Sequence, residues 1–93
     1  MVEINLRAAQ EDAKTRLANS VIDQLEDAIL KDPFSYEWES HKAFELNDPI
    51  IPIVRAHFDE MRDFRTSLEA RMVGERQHYV ILVEPAADFV PLW

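Results

Sequence analysis

The sequence predicts an α+β fold, predominantly α: two long antiparallel helices, a short connector with possible β structure, and a C-terminal β-strand followed by an apolar tail. Three observations carry that expectation. Apolar residues recur at three- and four-residue spacings over residues 5–30 and again over 49–73. Five consecutive residues of high β-propensity, Tyr79-Val80-Ile81-Leu82-Val83, follow the chain's one glycine, Gly74. With 93 residues, 47% of them hydrophobic, one Gly and five Pro, the chain has the size of a single domain in which regular structure dominates.

The first helix is expected over 5–30. Leu6, Ala9, Ala13, Leu17, Val21, Leu25 and Ala28 or Ile29 line one face, and the segment contains neither Gly nor Pro. Lys31 suits the negative end of the helix dipole, and Pro33 stops the helix because the residue before a proline avoids helical dihedrals. The second helix is expected over 49–73. Ile50, Val54, His57, Met61, Phe64 and Leu68 follow at spacings of four and three; Asp48-Pro49 and Pro52 mark the start, and Gly74 suits the left-handed position past the end.

The connector, 32–48, reads two ways. Phe34, Tyr36 and Trp38 alternate with Ser35, Glu37 and Glu39, a strand pattern with one aromatic face. Asp32-Pro33 also resembles a helix start, which would put Phe34, Trp38 and His41 on one helical face. A strand is expected over 78–84, and it needs a partner for its backbone groups. Residues 34–39 are the one candidate in the chain; if they are helical, the partner comes from another copy or another protein. The tail, 85–93, is apolar for a terminus, and Pro91 keeps it out of a central sheet.

Net charge is −8, and half of it falls between the expected helices, where Asp32, Glu37, Glu39, Glu45 and Asp48 face only Lys42. Direct nucleic-acid binding and an acidic membrane surface are both disfavoured, since each calls for a basic protein surface. The absence of cysteine excludes disulfides and thiolate metal sites, no apolar run has the length of a membrane span, and the N-terminus does not read as a signal peptide. These features predict a cytoplasmic, intracellular protein, host- or virus-encoded.

Catalytic and cofactor chemistry finds little footing. His57 stands near Glu60 and Met61, and Glu37 and His41 would share a helical face, but a di-metal bundle site needs about six ligands from four helices. No serine has the glycine neighbours of a nucleophile elbow, and a single glycine excludes a phosphate-binding loop. Glu11-Asp12, Glu26-Asp27 and Asp59-Glu60 are adjacent in sequence, so on a helix each pair diverges by about 100°. No cofactor, metal or catalytic residue is expected, and the protein is read as a non-enzyme. Arg55, Arg62, Arg65, Arg71 and Arg76 alternate with acids, with Arg55–Asp59 and Arg65–Glu69 at helical i, i+4 spacing.

The acidic-aromatic connector and the tail remain as candidate partner-binding residues: Tyr36, Glu37, Trp38, Glu39, Phe44 and Glu45, with Phe89, Leu92 and Trp93. Aromatics anchor interfaces and acids steer a basic partner, although the same aromatics would also serve a small core. The expectation is a non-enzymatic protein-binding module, an acidic inhibitor or antagonist occupying the surface of a basic protein, such as one that handles nucleic acid. The alternative is a structural subunit of a homo-oligomeric or virion-like assembly, with a small metal-binding or enzymatic role third after these. Either way a homo-oligomer or obligate partner is expected, because two helices give little core.

Overall fold

The structure, a computed structural model, describes residues 3–91. Its elements are α1 (Leu6–Lys31), β1 (Trp38–Glu39), α2 (Ile50–Asp59), β2 (Phe64–Val73) and β3 (Arg76–Pro85). The strands form an antiparallel sheet in the order β1-β3-β2, with both helices on one face.

Asn5 Oδ1 accepts the Ala8 N–H (3.1 Å) and caps α1, and Lys31 pairs with Asp27 (2.9 Å) at its other end. Only the C-terminal half of the expected stripe is core: Ala18, Val21, Ile22 and Leu25 are buried, with Ala28 and Ile29 packed beside them. Leu6, Ala9 and Ala13 are exposed, and residues 3–17 are exposed but for half-buried Lys14. This prong accounts for an elongated outline of 61 × 33 × 20 Å.

The expectation of two long antiparallel helices is overturned. The second helix ends at Asp59, and residues 64–73, assigned to it from the sequence, form β2. Phe64, Leu68 and Met72 repeat every four residues, a spacing that is one helical turn and also two strand periods. The full run settles the matter: Phe64, Thr66, Leu68, Ala70 and Met72 alternate with Arg65, Ser67, Glu69, Arg71 and Val73, which is the period of a strand with one apolar face. Gly74 serves the Gly74-Glu75 turn that joins β2 to β3, not a helix end. Its φ is +64° while no other described residue has positive φ, the signature of a type II′ hairpin turn. The helical ion pairs expected here change accordingly. Arg65 reaches Glu84, its cross-strand neighbour (3.6 Å), and Arg55 and Asp59 both turn to Thr66.

The strand expected over 78–84 lies within β3, the central strand. β2 pairs with it from Phe64↔Pro85 to Val73↔Arg76, and β1 pairs on its other side through Trp38↔Val83 and Glu39↔Leu82. Of the connector only Trp38–Glu39 is strand, extended by a bridge between Phe44 and Tyr79.

The core lies between sheet and helices. Phe58, Leu25, Ile50, Ile81, Val54 and Val83 are its most enclosed side chains, and Trp38 and Phe58 meet the edge of Phe64 at ring-centre distances of 6.1 and 6.2 Å. On the opposite face Val80 and Leu82 are also buried, although no helix covers them. Arg71 of β2 bonds Glu39 of β1 (2.7 Å) and Glu69 (2.8 Å), so its side chain spans β3 and roofs this face. The Glu69 carboxylate first, with Glu39 adding, holds the Arg71 guanidinium above its usual range.

Candidate functional site

The exposed aromatics among the described residues, Phe34, Tyr36 and Phe89, lie at the base of the fold, where α1 ends and β3 leaves the sheet. Pro33 ends the helix and sends the connector across this base. Trp38 turns inward, 7% exposed, and its indole N–H donates to Asp32 O (3.0 Å). That bond, together with Ser35 Oγ donating to Glu37 O (2.8 Å), folds 33–37 into a turn that throws Tyr36 outward, 91% exposed. On the far side Pro85 ends β3, Ala86 N–H donates to Asp63 O (2.8 Å), and Phe89 N–H donates to Ala86 O (2.9 Å). The segment after β3 is thereby held to the start of β2, with Phe89 facing the connector.

Between the two segments runs an open cleft of about 530 Å³ lined by Pro33, Phe34, Tyr36, Pro85, Phe89 and Pro91. Prolines and aromatics dominate the lining, so its walls are rigid and apolar. A smaller hollow of about 170 Å³ adjoins it, floored by Trp38 and Phe64. Asp32, Glu37 and Asp88 are exposed and each adjoins a lining residue in sequence, whereas Glu84 turns to the other sheet face, 3.6 Å from Arg65.

The structure therefore separates the residues singled out from the sequence. Tyr36 and Phe89 meet at this cleft, with exposed Glu37 beside them. Trp38 and Phe44 belong to the core. Glu39 lies on the outer sheet face with Arg71, and Glu45 lies toward the hairpin turn, 3.7 Å from Arg76. Leu92 and Trp93 lie outside the described residues. Sequence reasoning missed Pro33, Pro85 and Pro91 as lining; their shared tendency to break regular structure beside aromatics was the available signal.

The remaining polar groups offer little chemistry. His57 Nε2 is enclosed without a hydrogen bond, 3.7 Å from Glu26 Oε1, with its ring edge-on to Phe58. Among the described residues no three His, Asp or Glu side chains converge as a metal site, and no helix is long and apolar enough to cross a membrane. Ser35 Oγ, the aliphatic hydroxyl in the cleft, spends its proton on the Glu37 carbonyl. No known protein family, curated protein or solved structure matches the chain.

Proposed function

We propose that the protein is a binding module that holds an extended segment of a partner protein in the cleft between 33–36 and 85–91. The observation that carries this reading is the Tyr36 side chain, almost wholly in water beside Phe34 and Phe89, which are 53% and 43% exposed. Rigid aromatics at the mouth of an apolar cleft are the usual anchors of an interface. The exposed Asp32, Glu37 and Asp88, each next to a lining residue in sequence, favour a partner with basic residues flanking an apolar anchor, and they would speed encounter through charge. An antagonist acting by occupying such a segment on a basic protein is the form of this function that the net charge of −8 supports.

Selection of a random-peptide display library on the full chain, with Tyr36→Asp as counter-selection, tests the proposal. Enriched peptides should pair Lys or Arg with an aromatic or aliphatic anchor, and Tyr36→Asp should weaken them at least tenfold. Peptides that bind both proteins equally, or no enrichment over the variant, would defeat it. A second reading, a subunit of a repeating assembly, draws on the exposed N-terminal turns of α1, which offer a neighbouring subunit a ready helical surface.

A further inference from the structure

β2 is an outer strand of the sheet, and the hydrogen bonds of β3 fix which of its groups face outward. Ser40 N–H donates to Ile81 O, and Phe44 and Tyr79 exchange both backbone bonds, so the odd residues of β3 bond toward β1. Its even residues therefore bond toward β2, where the register places them opposite Arg65, Ser67, Glu69, Arg71 and Val73. The even residues of β2 must then point their N–H and C=O away from the sheet. Thr66 shows this directly: its N–H donates to Asp59 Oδ1 (2.9 Å) and its C=O accepts from Arg55 Nη2 (3.5 Å). α2 closes that rung. At the rungs beyond it, Leu68, Ala70 and Met72, no bond closes the outward groups among the described residues.

An outer strand is commonly protected by charged side chains, proline or a bulge. From 67 to 73 β2 has neither proline nor bulge. Its two charges, Glu69 and Arg71, are of opposite sign and neutralise each other (2.8 Å), and Ala70 and Met72 are exposed, Met72 by 68%.

We propose that two copies of the chain pair β2 with β2, antiparallel about a two-fold axis at Ala70, and so join their three-stranded sheets into one. The sequence selects this register. A two-fold pair using the outward groups of Leu68, Ala70 and Met72 can be centred on residue 69, 70 or 71. The first sets Glu69 against Glu69 and the last sets Arg71 against Arg71, and like charges directly opposite are destabilising. Centred on Ala70, each Glu69 faces the Arg71 of the second copy, each Leu68 faces Met72, and the two Ala70 residues exchange backbone bonds. The charged pairs then fall at the non-hydrogen-bonded positions, where side chains stand closest. Charge complementarity, the free rungs and the exposed Met72 thus converge on a second copy as the occupant. The cleft at the base is a separate surface, so this inference stands apart from the function proposed above.

Light scattering after size exclusion, on the full chain over a wide concentration range, tests it. The wild-type mass should rise from 10.9 kDa to twice that value. Glu69→Arg opposes arginines across the axis and Arg71→Glu opposes carboxylates, so each variant alone should stay monomeric at tenfold higher concentration. An equimolar mixture restores both opposite-charge pairs and should dimerise again. Ala70→Pro removes the outward N–H at the axis without touching the β3 ladder, and should abolish the dimer while circular dichroism shows an intact fold. A wild type that stays monomeric, a dimer that survives Ala70→Pro, or folded charge variants that fail to pair on mixing would each overturn the proposal. If Arg71→Glu does not fold, Ala70→Pro decides alone.

Discussion

Trp38 and Tyr36 sit two residues apart in one acidic segment, and the structure gives them opposite duties. Trp38 is 93% removed from water, edge-on to Phe64, with its N–H on Asp32 O. An aromatic of this size buries about 200 Å², worth about 5 kcal/mol at 25 cal/mol/Å² against an extended chain, or about 3–4 kcal/mol against a realistic unfolded one. The edge-on ring pair adds about 0.5–1 kcal/mol. The hydrogen bond adds little net, because Asp32 is exposed and water can replace the donor. Trp38→Ala should therefore cost about 3–5 kcal/mol, a large share of the roughly 5–14 kcal/mol expected of a chain this long. Trp38→Phe, which keeps most of the area, should cost about 1–2 kcal/mol. Tyr36→Ala, with its ring already in water, should stay within about 0.5 kcal/mol. Urea titration followed by far-ultraviolet circular dichroism would rank the three variants. A Tyr36→Ala penalty equal to or greater than that of Trp38→Ala would refute the assignment of one ring to the core and the other to the cleft.

Other substitutions probe the hairpin and its clamp. Asp59→Ala strips the acceptor from the Thr66 N–H and hydroxyl, and a loss of about 1–2 kcal/mol in urea is expected; an unchanged midpoint would mean the clamp does not hold β2. Gly74→Ala meets no steric neighbour, so its expected cost of about 1–2 kcal/mol is backbone strain alone, and a neutral result in the same assay would contradict the II′ turn. The Lys31 ammonium is held above its usual range by its hydrogen bond to Asp27. A raised value on a cation means stability present below the ordinary lysine range and lost as pH climbs through the raised one. Melting temperatures of wild type and Lys31→Gln should therefore begin to converge as pH passes the ordinary lysine value of 10.5 and meet above the raised one, and a gap that does not narrow there would place the difference elsewhere.

The parts of the fold legible in the sequence were those where only one periodicity fits. Residues 79–83, all but Leu82 β-branched or aromatic and without a polar face, favour a strand, and they form the middle of β3. Val21, Leu25 and Ala28 were readable as a buried helical face for the same reason. Residues 64–73 were misread because a four-residue spacing satisfies both periods, and the deciding evidence was the polar residues between. Burial could not be read at all where composition is silent about neighbours. Leu6 and Leu25 occupy the same stripe, yet one lies in water and the other in the core, because β1 and α2 reach only the second half of α1. The cleft was half legible: exposed aromatics in 34–36 and 89 were visible, but their meeting depends on a hairpin that the sequence reading did not contain.

The prong of α1 makes the molecule thermodynamically graded. A helix of about a dozen residues without tertiary support is marginal in water, and its two ion pairs, Lys14–Glu11 and Arg16–Asp12, do little to change that. Amides in the first turns should exchange with solvent nearly as fast as those of a free peptide, while Ile22 and Leu25 exchange only through global opening. Heating would then fray the prong before the body melts. The far-ultraviolet signal should begin to fall below the temperature at which the environment of Trp38 changes, and the calorimetric enthalpy should be smaller than chain length implies. Cutting back the prong would bring the spectroscopic transitions into coincidence without moving the main one.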